Sequence, residues 1–461
     1  MYIVDFTKPI HIHFIGIGGI SMSGLAEILL KEGFRISGSD AKENALTDHL
    51  TGLGADIRYG QRSSNITDDI DLVVYTAAIH PDNPEYQAAV SRQLPMLTRA
   101  ELLGQIMKNY DTPVAVSGTH GKTTTTSLIS HILLAGGCDP TISVGGILPS
   151  IGGNIRVGNS ETFLTEACEY TNSFLSLFPK IGVILNMDAD HLDFFKDIDD
   201  IRYSFRKFAE LIPADGALVI NADTPEYQKI IDGLDCKVLT YALENTAAAD
   251  YTAENIVFDE YARPSFDCIC RGKNLGRYSL KAPGIHNVSN ALASIAVARE
   301  LHLSDEAIHG GFASFTGTDR RFQYKGTVGD VTIIDDYAHH PTEIRATLKA
   351  AEECPHKTLW CVFQPHTYTR TKALMDEFAG ALAMADHVVL AKIYPARETD
   401  SLGISSADLQ QKIQELGTPC EYFETFDEIE NYLLESITPG DLLITMGAGD
   451  IVKVGENLLG Q

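Results

Sequence analysis

Seven consecutive residues, Gly118, Thr119, His120, Gly121, Lys122, Thr123 and Thr124, bring together what binding of a nucleoside triphosphate requires. Glycines let successive backbone N–H groups converge on a phosphate, the lysine reaches the β- and γ-phosphates, and a hydroxyl next to it can ligate Mg²⁺. The string is a shortened P-loop, since Val116 takes the place of the first glycine in the longer pattern. A second glycine cluster lies earlier, in Gly16, Ile17, Gly18, Gly19, Ile20 and Ser21. It suits a pyrophosphate approached by backbone N–H groups at a helix start, with Ser21 where a dinucleotide fingerprint has its third glycine. Asp40, which follows Ser37, Gly38 and Ser39, stands where a ribose-binding acid belongs. Three readings stay open for this first loop: a nucleotide diphosphate, a nicotinamide cofactor, or a tight turn without a ligand. Downstream, Glu166, Glu169 and His191 are candidate Mg²⁺-side residues, against the plainer alternatives of solvated acids and a helix-capping histidine.

These groups need rigid elements behind them, and the hydrophobic pattern supplies a parallel α/β scaffold. Residues 10–15 read as a strand, 21–31 as a helix with Leu25, Ile28 and Leu29 on one face, and 34–37 as the next strand, a βαβ opening. Residues 72–75 form another buried strand. A fresh strand at 114–116 leads into the lysine loop, and the helix it opens ends at Gly136 and Gly137. The α/β alternation continues with strands at 181–185 and 217–220, and the polar stretch 244–250 reads as a loop. After Arg320 and Arg321 a strand at 331–334 ends in Asp335 and Asp336, and strands at 359–363, 387–390 and 441–445 follow. The expected fold is therefore α/β in three domains: a Rossmann-like domain over 1–110, a central P-loop-type domain over 111–324 and a Rossmann-like domain over 325–461.

Composition narrows the partners. The 461 residues include 36 basic and 62 acidic side chains, a net charge of −26 that repels nucleic acid and anionic membranes. An anionic ligand must then be held locally, by N–H groups, a metal ion or a few placed cations. The eight cysteines form no C-x-x-C pair and read as reduced thiols; Cys268 and Cys270, two apart on a strand, read as core. Asp5 and the glycines at 16, 18 and 19 break the N-terminal apolar segment, so neither a secretory signal nor a membrane span is expected, and the cytoplasm is the default location.

Four strings together carry a family resemblance: Gly16 to Gly19, Gly118 to Thr124, the run His286-Asn287-Val288-Ser289-Asn290-Ala291, and Asp335-Asp336-Tyr337-Ala338-His339-His340-Pro341-Thr342-Glu343. In this order, across the whole chain, they resemble the Mur ligases. The run Phe363-Gln364-Pro365-His366-Thr367-Tyr368-Thr369-Arg370-Thr371 is most like members that add L-alanine, and the family's tripeptide-recycling ligases depart there. The resemblance implies an ATP-dependent amide-forming ligase of peptidoglycan synthesis, whose first domain holds UDP-N-acetylmuramic acid, the second ATP and the third the amino acid. It implies that the sugar's carboxylate takes the γ-phosphoryl group and that the L-alanine amine then displaces phosphate. By motif, Lys122 acts on the transferring phosphoryl group, Thr123, Glu166 and His191 on Mg²⁺, and Glu169 faces the substrate; Gly118, Thr119, His120, Gly121 and Thr124 complete the ATP loop. Asn287 and Asn290 fall to the adenine side, Asp336 to the ribose and Arg321 to phosphate; Gly16, Gly18, Gly19, Ser39 and Asp40 to the UDP-sugar; His339, His366 and Arg370 to the amino-acid side. No lysine, Lys207 included, is assigned the carbamylated role found in related ligases, and a monomer or homodimer is expected. A dehydrogenase reading would rest on the first loop and Asp40 alone, leaving Lys122, Thr123, Glu166 and His191 unexplained. A nucleotide-dependent regulatory protein would need no acceptor site, and the His366 and Arg370 string argues against it.

Overall fold

The computed structural model describes residues 2–461 other than Ala77, Leu192, Asp193 and Arg397, and of Ile147 only the backbone. Three sheets organise them. The first is parallel: β1 (His11–Ile15), β2 (Arg35–Asp40), β3 (Asp56–Tyr59), β4 (Leu72–Tyr75) and β5 (Met96–Thr98), in the order β3-β2-β1-β4-β5. All of β1 is buried, as expected of a strand with parallel neighbours on both sides. Its two histidines need partners there: the Ser37 hydroxyl meets His11 Nε2 at 2.8 Å and His13 Nδ1 at 2.9 Å. Strand order reverses at β1, so the glycine loop leaving β1 lies at the switch point where open α/β sheets bind ligands.

The second sheet contains β6 (Thr112–Ser117), β7 (Thr141–Leu148), β8 (Gly153–Arg156), β9 (Thr162–Ala167), β10 (Ile181–Ile184), β11 (Ala217–Asn221) and β12 (Lys237–Ala242), in the order β12-β11-β10-β6-β9-β7-β8. The strand carrying the lysine loop, β6, is flanked by parallel β10 and β9. The end of β12 pairs with β13 (Tyr251–Phe258), which opens an antiparallel meander with β14 (Pro264–Cys270) and β15 (Lys273–Ser279). This meander and the β7–β8 hairpin were not marked by the hydrophobic pattern. Residues 244–250 are irregular apart from a 3₁₀ turn at Thr246–Ala248.

The third sheet runs β16 (Gln323–Val328), β17 (Val331–Asp336), β18 (Leu359–Phe363), β19 (His387–Leu390), β20 (Cys420–Tyr422) and β21 (Leu442–Met446), ordered β16-β17-β21-β18-β19-β20. It is parallel except for β16. One face packs under Ile344, Leu348, Phe378 and Leu409, the other under Ile429, Leu433 and Val454. Asp335 and Asp336 lie within β17 rather than beyond it, because Asp335 is satisfied inside the sheet: it accepts the Thr445 hydroxyl at 2.7 Å and Arg320 Nε at 2.9 Å.

By contacts the chain resolves into two compact units. The first comprises Met1–Asn186, Arg202–Thr240 and Ala296–Ile308; the second comprises Met187–Ile201, Tyr241–Ile295 and His309–Gln461. The eight cysteines are free thiols. Among the described residues no helix is long and apolar enough to cross a membrane.

Candidate functional site

Both glycine loops lie in the first unit. In the earlier one Gly16 has φ +84°, a left-handed conformation that favours glycine, and the N–H groups of Gly16 and Ile17 both donate to the Ser39 carbonyl, at 2.8 and 3.0 Å. Ser39 thus meets the loop through its backbone; its buried hydroxyl donates to Glu85 Oε2 at 2.5 Å. The Gly18 N–H donates to Asp40 Oδ2 at 2.8 Å, and a side chain on Gly18 would meet that carboxylate at 2.9 Å. Gly19 is the N-cap of the helix Ile20–Lys31 and brings no side-chain cap.

The later loop is tighter. Gly118 has φ +139°, and a Cβ there would stand 2.9 Å from the Leu185 Cβ, so only glycine fits. The loop is fixed to the segment just past β10: Thr119 N–H donates to the Asn186 carbonyl at 3.2 Å, and His120 N–H to the Asn186 side-chain oxygen at 2.8 Å. Gly121, at φ +83°, is the uncapped N-cap of the helix Lys122–Ala135, whose first turn carries Thr123 and Thr124, both half-buried. The Lys122 Nζ donates to the Gly118 carbonyl at 2.5 Å and to Glu169 Oε2 at 2.9 Å. Burial opposes a charge on this lysine, but Glu169, with Cys168 and Glu166, outweighs it and raises the ammonium above its ordinary value. Glu166, the penultimate residue of β9, accepts the Gly145 N–H at 2.6 Å. Lys122, Glu166, Ser21 and Arg99 line one cavity of about 340 Å³. Arg99 was not singled out from sequence. Its signal was weak: a single arginine at a helix start.

The remaining predicted residues lie in the second unit. Arg370 Nε and Nη2 both donate to Asp190 Oδ1 at 3.0 Å across 180 positions of sequence, and Nη1 lies 3.3 Å from His366 Nδ1. Asp190 is largely buried; burial alone would raise its carboxyl, but Arg370 and His191 hold it far below the usual carboxylate range. His191, at φ +55°, donates its backbone N–H to Asp190. His366 stacks on Tyr394 with centroids 5.6 Å apart and meets His339 edge-on at 5.7 Å. Burial, reinforced for His366 by Arg370, lowers both imidazoles to about 4. His339 Nδ1 lies 2.9 Å from the Tyr337 carbonyl. The helix cap at this place is Thr367, whose hydroxyl accepts the Arg370 N–H at 3.4 Å.

A second group converges around Asp336. Its two oxygens accept the N–H groups of Ala338 and Phe322 at 2.7 and 2.8 Å, and burial pushes its carboxyl up to about 6 against the pull of Arg321. The adjacent arginines divide their work. Both lie over the Tyr337 ring, but Arg320 is a clamp, donating to Asp335 and to the carbonyls of Gly447 and Gly449, whereas Arg321 has Asp336 and His286 as charge neighbours. On the helix Ile285–Glu300, Asn287 Nδ2 donates to the Pro283 carbonyl at 2.7 Å and Asn290 Nδ2 to Asn287 Oδ1 at 2.9 Å. Sequence reasoning missed Asp190 and His286, although each is adjacent in sequence to a candidate residue, Asp190 to His191 and His286 to Asn287.

Parallel sheets with a lysine-bearing glycine loop after a central strand define a nucleotide-binding α/β protein of the P-loop type. Family signatures then cover most of the chain: "Mur ligase family, catalytic domain" at 11–111, "Mur ligase middle domain" at 116–298 and "Mur ligase, glutamate ligase domain" at 320–449. The chain belongs to the Mur ligase family. It is 60% identical, over 100% of both chains, to UDP-N-acetylmuramate–L-alanine ligases of Lachnospira eligens and Agathobacter rectalis. The crystal structure of the UDP-N-acetylmuramate–alanine ligase MurC from Thermotoga maritima superposes with TM-score 0.79 at 30% identity, covering 98% of each chain. A murein peptide ligase from Psychrobacter arcticus, 24% identical, shares the fold with TM-score 0.70 over 98% of each chain.

Proposed function

We propose that the chain is an ATP-dependent ligase that joins L-alanine to the carboxylate of UDP-N-acetylmuramic acid, a step of peptidoglycan precursor synthesis. The observation that carries this reading is the 60% identity over full length to enzymes of that name. The local chemistry agrees with it. Lys122 sits at a loop suited to phosphate, in a cavity shared with Ser21, which follows the sugar-nucleotide loop. The carboxylate oxygen attacks the γ-phosphorus of ATP, giving an acyl phosphate and ADP; the neutral amine then attacks the acyl carbon, and inorganic phosphate leaves as the nitrogen gives up its proton. Positioning and charge stabilisation supply most of such catalysis.

Thr123 and Glu166 offer oxygen donors in the first unit, a donor set that fits Mg²⁺, and His191 is the proposed metal-side residue of the second. Bound Mg²⁺ would offset charge on the transferring phosphoryl group. In the proposed division, 1–110 binds the UDP-sugar through Gly16, Gly18, Gly19, Ser39 and Asp40. Residues 111–324 bind ATP through the lysine loop, Asn287, Asn290 and Arg321, with Asp336 at the ribose, and 325–461 take the amino acid through His339, His366 and Arg370. The protein works in the cytoplasm as a monomer or homodimer. The test is release of inorganic phosphate from ATP. It should require UDP-N-acetylmuramic acid, L-alanine and Mg²⁺ together, stop with a chelator, and return when Mg²⁺ is restored. Phosphate release that ignores either carbon substrate would reject the reading.

A further inference from the structure

The cavity of about 340 Å³ in the first unit is lined by two cations, Lys122 and Arg99, and among the described residues only Lys122 has an anionic partner. Lys122 is paired with Glu169. Arg99 donates Nη1 to the Ser21 hydroxyl at 3.2 Å, and among the described residues no carboxylate pairs with it. The nearest acid in sequence is already committed: Glu101 Oε2 accepts the Thr98 N–H at 2.7 Å and the Thr98 hydroxyl at 2.8 Å, closing a capping box at the start of the helix Arg99–Met107. Burial disfavours the charged guanidinium. A half-buried arginine with several N–H donors unspent is costly to keep unless an anion reaches it.

The rest of the lining says which anion. Hydroxyls of Ser143, Ser173 and Thr165 suit a polar sugar, while Leu103, Val144 and Phe174 suit its apolar ring face and a methyl group. A monoanionic carboxylate carried on a sugar, and due to react beside Lys122, fits this set. Resting on the substrate reading above, we propose that Arg99 is a substrate-binding residue that grips the carboxylate of the N-acetylmuramoyl group and presents it to the γ-phosphate at Lys122. Its planar fork pairs with two carboxylate oxygens at once, which fixes the orientation of the attacking atom as a point charge cannot.

Calorimetry with UDP-N-acetylmuramic acid and UDP-N-acetylglucosamine tests this, because the second ligand has the nucleotide, diphosphate and acetamido sugar but no carboxylate. In Arg99→Gln the first ligand should weaken by roughly thirtyfold or more, in the range for losing one partner of a buried charge pair, while the second stays within about twofold of wild type. Arg99→Lys should recover part of the loss, and both variants should keep the wild-type melting temperature. Equal weakening of both ligands would assign Arg99 to the diphosphate or to the fold and overturn the proposal. So would unchanged binding of both. If the wild-type protein itself fails to prefer the carboxylate-bearing ligand, the substrate reading falls first and the role of Arg99 falls with it.

Discussion

Two buried ion pairs, one in each unit, stand at the groups this chain devotes to chemistry. Lys122 with Glu169 belongs to the first unit, Arg370 with Asp190 to the second. In the first the cation is a point charge on a flexible stem, held by a loop carbonyl as well as the carboxylate, so it can turn from Glu169 to a phosphate without breaking the loop. In the second a rigid guanidinium spends two donors on one oxygen of Asp190 and aims a third at His366, a fixed scaffold for side chains around it. One pair is built to exchange partners; the other is built to hold a shape.

The largest consequence falls on the exchangeable pair. Lys122→Ala should lower turnover by about a thousandfold or more, the scale on which a preorganised charge at the reacting group acts, and leave UDP-sugar binding within about twofold. The substitution also strands a buried Glu169, which costs about 3–5 kcal/mol of stability. Adding Glu169→Gln should restore the melting temperature while the enzyme stays inactive. Recovery of turnover in the double variant would mean that the lysine serves the fold alone.

For the rigid pair the expected loss is smaller and more geometric. Arg370→Ala should cost about 2–5 kcal/mol in productive acceptor use, with ATP affinity nearly unchanged, and Arg370→Lys should remain impaired because an ammonium cannot reproduce the two-donor contact with Asp190. Full L-alanine-dependent turnover in Arg370→Lys would show that charge alone matters there, and the contrast between the two pairs would collapse.

Much of this was legible in the sequence because it is local. The strands at 72–75, 359–363 and 387–390 coincide with β4, β18 and β19, since short β-branched and aromatic runs between turn residues have few other uses. The glycine loops, too, announce themselves by residue type and spacing. What escaped is non-local. The meander β13–β15 is half-exposed and lacks a continuous apolar run. The partnership of Asp190 with Arg370 spans 180 positions, so no window of sequence contains it. Adjacent arginines at 320 and 321 look alike as a string, and only the ends of β17 and β21 make one a clamp and turn the other toward Asp336. Arg99 is the same lesson in the first unit: a residue with no motif acquires meaning from the cavity it faces.

The smallest predicted effect separates the two regions by pH. In the second unit His286, His339 and His366 are each lowered to about 4, chiefly by burial, so they stay neutral in the folded protein while an unfolded histidine takes a proton below about 6.5. Between pH 6.5 and 4 the unfolded chain therefore binds more protons at these sites; their contribution is complete above pH 6.5 and is lost as pH falls toward 4. Asp336 works in the opposite sense. Raised to about 6, it takes a proton in the folded state before it would in the unfolded chain, so it returns some stability over much the same interval. Asp335, also raised by burial, acts in the same sense as Asp336. Three histidines against two carboxyls leaves a net loss on acidification, on the order of 2 kcal/mol for the unopposed histidine. Lys122 adds nothing to this slope, because it is raised and stays charged throughout. Urea unfolding at pH 7.5 and pH 5 should show stability falling on acidification in the wild type and in the Lys122→Ala Glu169→Gln variant alike. The slope should flatten when His339 and His366 are both changed to Gln. An unaltered slope in that last variant would move the pH sensitivity away from the Arg370 cluster and leave the two ion pairs electrostatically alike.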